Sequence, residues 1–277
     1  MGNSSCFREP WRALPESDQD IIEFVKTYHP RNDNISHLRI LLQGPVGAGK
    51  SSFINSVESV ILNRISGRAM TDASSGSSFT KKLKAFQICK DESKRTPCSF
   101  VFNDIMGFEV TQGGIHVEDV KLILRGHVAE GHEFKPKCPL SKDDGDYVSN
   151  PSLAEKVHVL VTVIPAASVP LLSDDVIKKM RDVRLDATML EIPQLIILTK
   201  VDEACPEVKK TITNIYKSIY LKEQVEKIHK LLGIPLNCIF LVKNYNSEMD
   251  TSKDMNVPLL YALRQMINFG EDFLNSQ

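Results

Sequence analysis

The chain has 277 residues, with 34 basic and 35 acidic side chains and a formal net charge of −1. This length suits one large domain or two small ones, and the balanced charge argues against a dedicated nucleic-acid-binding protein. Hydrophobic residues make up 42% and charged residues 25%, values that exclude collagen-like and disordered classes. The six cysteines form no C-x-x-C pair, which favours free thiols in a reducing compartment.

The amino terminus, MGNSSCFREP, lacks the apolar core of a secretory signal. No apolar run approaches the about 20 residues that a membrane span requires. We therefore expect a cytoplasmic protein. Gly2 follows Met1, as N-myristoylation requires, and Cys6 could take a second acyl chain, whereas the alternative is a frayed polar terminus. Membrane association is expected only if Gly2 or Cys6 is acylated.

Short apolar runs alternate with amphipathic stretches along the chain. A short helix at 18–28 is followed by a strand at 38–43 and a helix at 50–64. The later apolar runs predict strands at 81–88, 98–103, 157–164, 194–199 and 238–242. Helical spacing is found at 173–187, 206–232 and 258–274, and Asn256 suits the N-cap of the last helix. The alternation predicts an α/β fold, with a mostly parallel central sheet and helices on both faces.

Composition divides the chain into an N-terminal arm with a short helix, residues 1–34, and a single larger domain, residues 35–277. The arm is expected to be loose up to residue 17. Within the domain, residues 66–78 are rich in small polar side chains, which predicts a mobile loop. Residues 126–156 separate two strands by far more than usual, which indicates an insertion or a functional loop.

A phosphate-binding pattern follows the first strand. Gly44-Pro-Val-Gly-Ala-Gly-Lys50-Ser51 matches G-x-x-x-x-G-K-S/T between a predicted strand and a predicted helix. Glycines let the backbone N–H groups turn toward phosphate oxygens, Lys50 supplies positive charge near the β and γ phosphates, and Ser51 offers a hydroxyl to Mg²⁺. The dipole of the following helix also favours an anion.

A second pattern, D-x-x-G, ends the strand at 98–103. Asp104 is costly to leave unpaired after a buried strand, and it would be well used on a metal ion, directly or through water. The spacing lets the Gly107 N–H meet a γ-phosphate. Alone, such an Asp commonly caps a turn, but after a phosphate-binding loop it is the expected partner.

A third pattern, T-K-x-D at 199–202, follows the strand at 194–199 and points to guanine. The Asp202 carboxylate can accept from N1–H and the 2-amino group of guanine together, whereas adenine offers no such donor pair. The stem of Lys200 can lie across the base. At the end of the last strand, Lys243 and Asn244 could bring backbone near the base, although a polar strand end is an equally good interpretation.

The order of these motifs resembles that of P-loop GTPases over about residues 35–270. The chain more closely resembles the interferon-induced protein 44 family in several sequence segments, among them GPVGAGKSSFINSV, FNDIMGF and LTKVDEACPEV. The resemblance implies a cytoplasmic, interferon-inducible GTP-binding protein of innate antiviral defence with a GTPase-like (G) domain, using GTP or GDP and Mg²⁺.

The resemblance also assigns roles to individual residues. Lys50, Thr80 and Gly107 would serve catalysis, and Ser51, Thr80 and Asp104 would hold the metal, with Thr80 preferred to Thr71 in the first switch. The residues expected to contact the nucleotide are Gly44, Val46, Gly47, Ala48, Gly49, Lys50, Ser51, Ser52, Thr199, Lys200, Asp202, Lys243 and Asn244.

Two positions argue against fast hydrolysis. Many GTPases carry a water-orienting Gln after D-x-x-G, where this chain has Phe108, and some relatives carry an Arg at the position of Val46. We therefore expect a guanine-nucleotide switch with slow intrinsic hydrolysis, helped by self-association or a protein partner. The alternative is an interaction scaffold that nucleotide merely stabilises, with partners docking on 126–156 or on the N-terminal arm. An ATP-dependent kinase or ATPase is disfavoured by Thr199–Asp202.

Overall fold

The computed structural model describes residues 6–69, 81–94, 96–109, 114–135 and 138–277. Within these ranges six strands form one sheet in the order β2-β3-β1-β4-β5-β6. The strands are β1 (Leu38–Gln43), β2 (Lys84–Asp91), β3 (Thr96–Asp104), β4 (Val159–Pro165), β5 (Gln194–Thr199) and β6 (Ile239–Leu241). In this sheet β2 runs antiparallel to β3, and the other neighbouring pairs are parallel. The predicted α/β fold with a mostly parallel sheet is confirmed.

Helices cover the sheet. They are α1 (Gln19–Thr27), α2 (Lys50–Leu62), α3 (Val117–Leu124), α4 (Asp174–Met189), α5 (Val201–Ala204), α6 (Pro206–Lys210), α7 (Ile219–Leu232) and α8 (Lys253–Asn275). Helix α8 packs against α1 and α2, whereas α4 packs against α3 and α7, so the helices form two groups. Across the described residues, no helix combines the length and the apolar composition needed to cross a bilayer.

The prediction of one long helix at 206–232 is wrong. The structure has α6, a short 3-10 turn and α7 in this range. Thr211 adopts an extended conformation, and the Ser218 hydroxyl accepts a hydrogen bond from the Leu221 N–H (3.2 Å) as the N-cap of α7. Between them, Ile215 and Tyr216 are almost fully buried. Packing of these two side chains and a capping serine override the helical spacing of the sequence.

Two predicted element boundaries also shift. The strand expected at 81–88 is Lys84–Asp91, because the backbone of 81–83 pairs instead with 131–134 of the insertion. The last helix begins at Lys253, so Asn256 is not its cap. Asn256 lies inside the helix, where its amide donates to Asp18 (3.1 Å) and accepts from the Tyr245 hydroxyl (2.8 Å). The helix α3, which is only eight residues long, was not predicted.

The described part of the N-terminal arm is packed rather than loose. The backbone N–H of Trp11 donates to the Tyr216 carbonyl, and the two rings meet edge to face. The Arg12 guanidinium donates to the carbonyls of Ile239 and Leu236 and lies over both rings. Arg12 therefore satisfies carbonyl groups at the outer strand of the sheet. Gly2, the expected acylation site, lies outside the described residues.

The segment after α2 is fixed at its start. The Asn55 side chain both donates to the Ala69 carbonyl (2.8 Å) and accepts from the Ala69 N–H (2.7 Å). The buried Glu58 accepts from the Ser66 hydroxyl (2.5 Å) and pairs with Arg68. The mobile loop predicted at 66–78 therefore does not include its first four residues, and residues 70–80 lie outside the described part of the chain.

A buried histidine joins β1 to the segment before β4. The Arg39 N–H donates to His158 Nδ1, and His158 Nε2 lies 2.9 Å from the Leu153 carbonyl. Because a backbone N–H can only donate and a carbonyl can only accept, the ring is neutral with its proton on Nε2. Burial is the main cause that lowers the pKa of His158 to about 4.

This histidine gives the fold a pH dependence. The unfolded chain takes up a proton on His158 below its ordinary pKa of 6.5, whereas the folded chain resists protonation down to a pH of about 4. Stability from this group therefore falls as the pH drops through that window, by about 3 kcal/mol in total. We expect His158→Gln, which cannot titrate, to flatten the curve of unfolding free energy between pH 4 and 6.5. Parallel curves for the two proteins would contradict this expectation.

Candidate nucleotide-binding site

Four loops meet at the carboxyl edge of the sheet. In the parallel pairs, Leu42 of β1 lies opposite Asp104 of β3, and Leu198 of β5 lies opposite Leu241 of β6. The loops that follow these four strands carry the predicted phosphate, metal and base motifs. Because parallel strands end together, the fold brings side chains from distant parts of the sequence to one edge.

The loop after β1 surrounds a buried ammonium group. Lys50 is only 8% exposed, and its Nζ donates to the carbonyls of Pro45 (3.2 Å) and Gly44 (3.4 Å). Burial lowers the pKa of Lys50, and the negative charge of Asp104 opposes that effect. A buried cation with carbonyl partners is stabilised by a nearby anion, so this loop fits a phosphate group.

Gly44 is required by the geometry of the same loop. Its φ is +142°, a conformation that side chains rarely adopt, and a Cβ here would lie 2.0 Å from the Val163 carbonyl oxygen on β4. The loop therefore lies directly against the neighbouring strand. Gly47 is exposed at the outer side of the turn, whereas Ala48 is fully buried.

The two described candidates for metal binding are in contact. The Ser51 hydroxyl donates to Asp104 Oδ2 at 2.6 Å, and Asp104 is 2% exposed. A hydroxyl and a carboxylate oxygen are the kinds of ligand that Mg²⁺ prefers, so this pair fits that ion. The third candidate, Thr80, lies outside the described residues together with its alternative Thr71, and its role remains a prediction.

The D-x-x-G segment lies against the phosphate-binding loop. A Cβ on Gly107 would come within 2.6 Å of the Val46 nitrogen. The Phe108 N–H donates to the Gly44 carbonyl (3.0 Å), and the Val46 N–H donates to the Phe108 carbonyl (3.2 Å). The Phe108 side chain is 1% exposed and packs in the hydrophobic core. It therefore contributes packing, and it carries no polar group that could orient a water molecule.

Two side chains join the base loops to the phosphate loop. The Thr199 hydroxyl is fully buried and donates to the Ala48 carbonyl at 2.6 Å. The Asn244 amide donates to the Gly49 carbonyl at 3.1 Å. Lys200, which follows Thr199, has a φ of +55° and is the N-cap residue of the short helix α5. Both base loops are thus held against the loop that carries Lys50.

Asp202 and Lys243 lie together at the expected base site. Lys243 Nζ is 3.8 Å from Asp202 Oδ2, and it donates to Glu248 Oε1 at 2.7 Å. Burial raises the pKa of Glu248, but the Asn246 N–H and the Lys243 ammonium outweigh it and lower the pKa to about 2. Sequence reasoning missed Glu248, because no motif marks a carboxylate that reaches the site from a loop five residues beyond Lys243.

The insertion is folded onto the edge of the sheet. The Leu83 N–H donates to the His132 carbonyl and the Phe134 N–H to the Lys81 carbonyl, both at 2.9 Å. On the other side, the buried Asp119 of α3 accepts from the Leu140 N–H at 2.7 Å. The insertion therefore bridges the start of β2 and the helix that follows the D-x-x-G segment.

This fold and loop arrangement define a protein with the architecture of the P-loop GTPases. The structure of Toc33 from Arabidopsis thaliana in complex with Mg²⁺ and GMPPNP superposes with a TM-score of 0.50 at 14% identity, covering 94% of each chain. At that identity, the likeness concerns the fold alone.

The sequence is homologous to the interferon-induced protein 44 proteins over nearly its whole length, as the resemblance predicted. It is 31% identical to human interferon-induced protein 44-like over 90% of this chain, and 31% identical to mouse interferon-induced protein 44 over 95%. The chain spans 55% and 62% of the lengths of these two relatives. No family model matches it.

The position of Phe108 yields a prediction. We expect Phe108→Gln to lower the unfolding free energy by about 3 kcal/mol, because it removes a core ring and buries an amide. In an assay for GTP hydrolysis, the substitution should give no more turnover than the wild type, since this side chain points into the core. Phe108→Leu is the matched control and should cost less stability, as measured by denaturant unfolding. Faster turnover by Phe108→Gln at unchanged stability would show that the side chain reaches the nucleotide.

Proposed function

We propose that the chain binds GTP and GDP with Mg²⁺, hydrolyses GTP slowly, and acts as a guanine-nucleotide switch. The observation that carries this proposal is the buried Lys50 ammonium beside the hydrogen-bonded pair Ser51 and Asp104. Asp202 lies at the same edge of the sheet, on a loop whose Thr199 is bonded to the phosphate loop. One site thus contains groups suited to phosphate, metal and base.

Guanine selectivity would come from Asp202. Its carboxylate can accept from two adjacent donors of guanine, and a buried or half-buried carboxylate left without those donors disfavours adenine. Lys200 would lie across the base, and the backbone at Lys243 and Asn244 would approach its edge. Asn244 is held in place for this by its bond to the Gly49 carbonyl (3.1 Å).

Phosphate transfer would depend on positioning and charge. Lys50 and the loop N–H groups would hold the phosphates, Ser51 and Asp104 would hold Mg²⁺, and the ion would neutralise charge that develops on the phosphates. Thr80 and Gly107 remain proposed contributors at the γ-phosphate. Slow hydrolysis is supported by Val46, which supplies no charge, and by the buried ring of Phe108. Self-association or a partner would have to supply what these positions lack.

The biological setting is proposed from the relatives. Their names state that the proteins are interferon-induced, and this chain matches each of them over at least 90% of its own length. We propose by homology that it is an interferon-inducible effector of innate antiviral defence in the cytoplasm.

Guanine recognition is tested by Asp202→Asn. We expect micromolar GDP binding by the wild type and little ATP binding, measured by calorimetry with Mg²⁺. The variant should bind GDP about 30-fold or more weakly, because an amide cannot accept from both donors, and it should gain affinity for xanthine nucleotides. Glu203→Gln, an exposed carboxylate at the next position, is the matched control and should bind as the wild type does. If Asp202→Asn bound GDP as tightly as the wild type does, a role of Asp202 in guanine recognition would be excluded.

The alternative function is a nucleotide-stabilised interaction scaffold. It is favoured by the buried Phe108 ring and by the firm attachment of the insertion to β2 and α3. A switch must bind GTP and GDP differently, since ligands without differential affinity shift no equilibrium.

We expect the switch to distinguish its ligands. GTPγS and GDP should differ in affinity by about tenfold, and they should give different hydrogen-exchange protection around residues 81–83 and 107–109. The two measurements share a control in Lys50→Ala, which should abolish both differences. Equal affinities and equal protection with tight binding of both ligands would favour the scaffold.

A further inference from the structure

Lys243 lies between two carboxylates at the base site, and its distances to them are unequal. Its Nζ is 2.7 Å from Glu248 Oε1 but 3.8 Å from Asp202 Oδ2. Lys243 therefore forms a hydrogen bond with Glu248, whereas its contact with Asp202 is an ion pair too long for a hydrogen bond. All three side chains are about one-quarter exposed, so solvent screens their charges only in part.

The position of Glu248 is fixed by its own loop. Its other oxygen, Oε2, accepts from the N–H groups of Asn246 (2.9 Å) and Ser247 (3.2 Å). The loop is anchored in turn by the Tyr245 N–H, which donates to the Ser56 hydroxyl on α2 at 2.9 Å. Glu248 is therefore a fixed acceptor, and Lys243 is the flexible partner that comes to it.

Without the charge of Glu248, the nearest carboxylate for the Lys243 ammonium is Asp202. A lysine side chain can move by about 1 Å at little cost, and a charge-assisted hydrogen bond is stronger than a contact near 4 Å. Lys243 would then occupy an oxygen of Asp202. That oxygen is one of the two that guanine needs for its N1–H and its 2-amino group.

We propose that Glu248 is a positioning residue that holds Lys243 away from Asp202 and so reserves both Asp202 oxygens for the guanine base. This inference rests on the proposed guanine-nucleotide function. It assigns to Lys243 and Glu248 a joint role in selectivity, exerted through side chains. This role is separate from the one expected from the sequence, in which the backbone at Lys243 and Asn244 approaches the base.

The experiment compares GDP with IDP, whose base lacks the 2-amino group, by calorimetry at low salt. The wild type should prefer GDP by about tenfold, the value of one additional hydrogen bond to a charged acceptor. In Glu248→Gln, which keeps the size and an acceptor oxygen, GDP affinity should fall about tenfold and IDP affinity less, so the preference narrows. In the background of Lys243→Met, the same Glu248→Gln change should alter GDP affinity less than about twofold. The exposed Asp250→Asn is the control and should match the wild type.

Three outcomes would overturn the inference. One is a wild-type GDP affinity and GDP preference in Glu248→Gln. Another is an equal loss for GDP and IDP that persists with Lys243→Met, which would show that Glu248 only supports the loop. The third is absence of GDP binding by the folded wild-type protein, which would contradict the proposed function itself. This result needs no variant, so it is distinguishable from a failure of the inference about Glu248 alone. Thermal unfolding of every variant identifies any that fails to fold.

Discussion

The burial of one ammonium group is the constraint on which the site depends. Lys50 begins α2 at 8% exposure, and within the described part of the chain its Nζ donates to two carbonyl oxygens of its own loop. Removing a charge from water is costly, and carbonyl dipoles repay that cost only in part. Burial lowers the pKa of Lys50, and the fold tolerates the group because the negative charge of Asp104 opposes part of that lowering. An anion at this edge would in addition be stabilised by the lysine, the loop N–H groups and the helix dipole together.

The loops around this charge are connected through side chains rather than merely adjacent. Thr199 bonds to Ala48, Asn244 bonds to Gly49, and the backbone of Phe108 pairs with Gly44. Each of these bonds ends on a carbonyl of the phosphate loop. A displacement of any strand end would therefore distort the same loop. Binding of phosphate and binding of base should consequently be energetically coupled, and substitutions in the two halves of the site should not be additive.

Sequence reasoning predicted those parts of the molecule that local patterns determine. The strands at the site end where the sequence places the motifs, because apolar runs and glycine-rich turns are local signals. The single helix expected at 206–232 was wrong because burial of Ile215 and Tyr216 depends on distant partners, which spacing cannot reveal. Glu248 was not predicted for a similar reason. Its proposed role depends on the distance from Glu248 to Lys243 and on the distance from Lys243 to Asp202, and only the tertiary structure determines these distances.

The structure makes the two proposed functions, a nucleotide switch and an interaction scaffold, compatible with each other. The insertion pairs its backbone with 81–83, just before β2, and its Leu140 N–H bonds to Asp119 of α3. The first attachment directly follows the segment that contains Thr80, and the second is on the helix that follows the D-x-x-G motif at 104–107. A partner that docks on the insertion would therefore touch the elements through which a nucleotide-dependent change would be transmitted. Docking and nucleotide binding would then be linked by one coupling free energy, which acts equally in both directions.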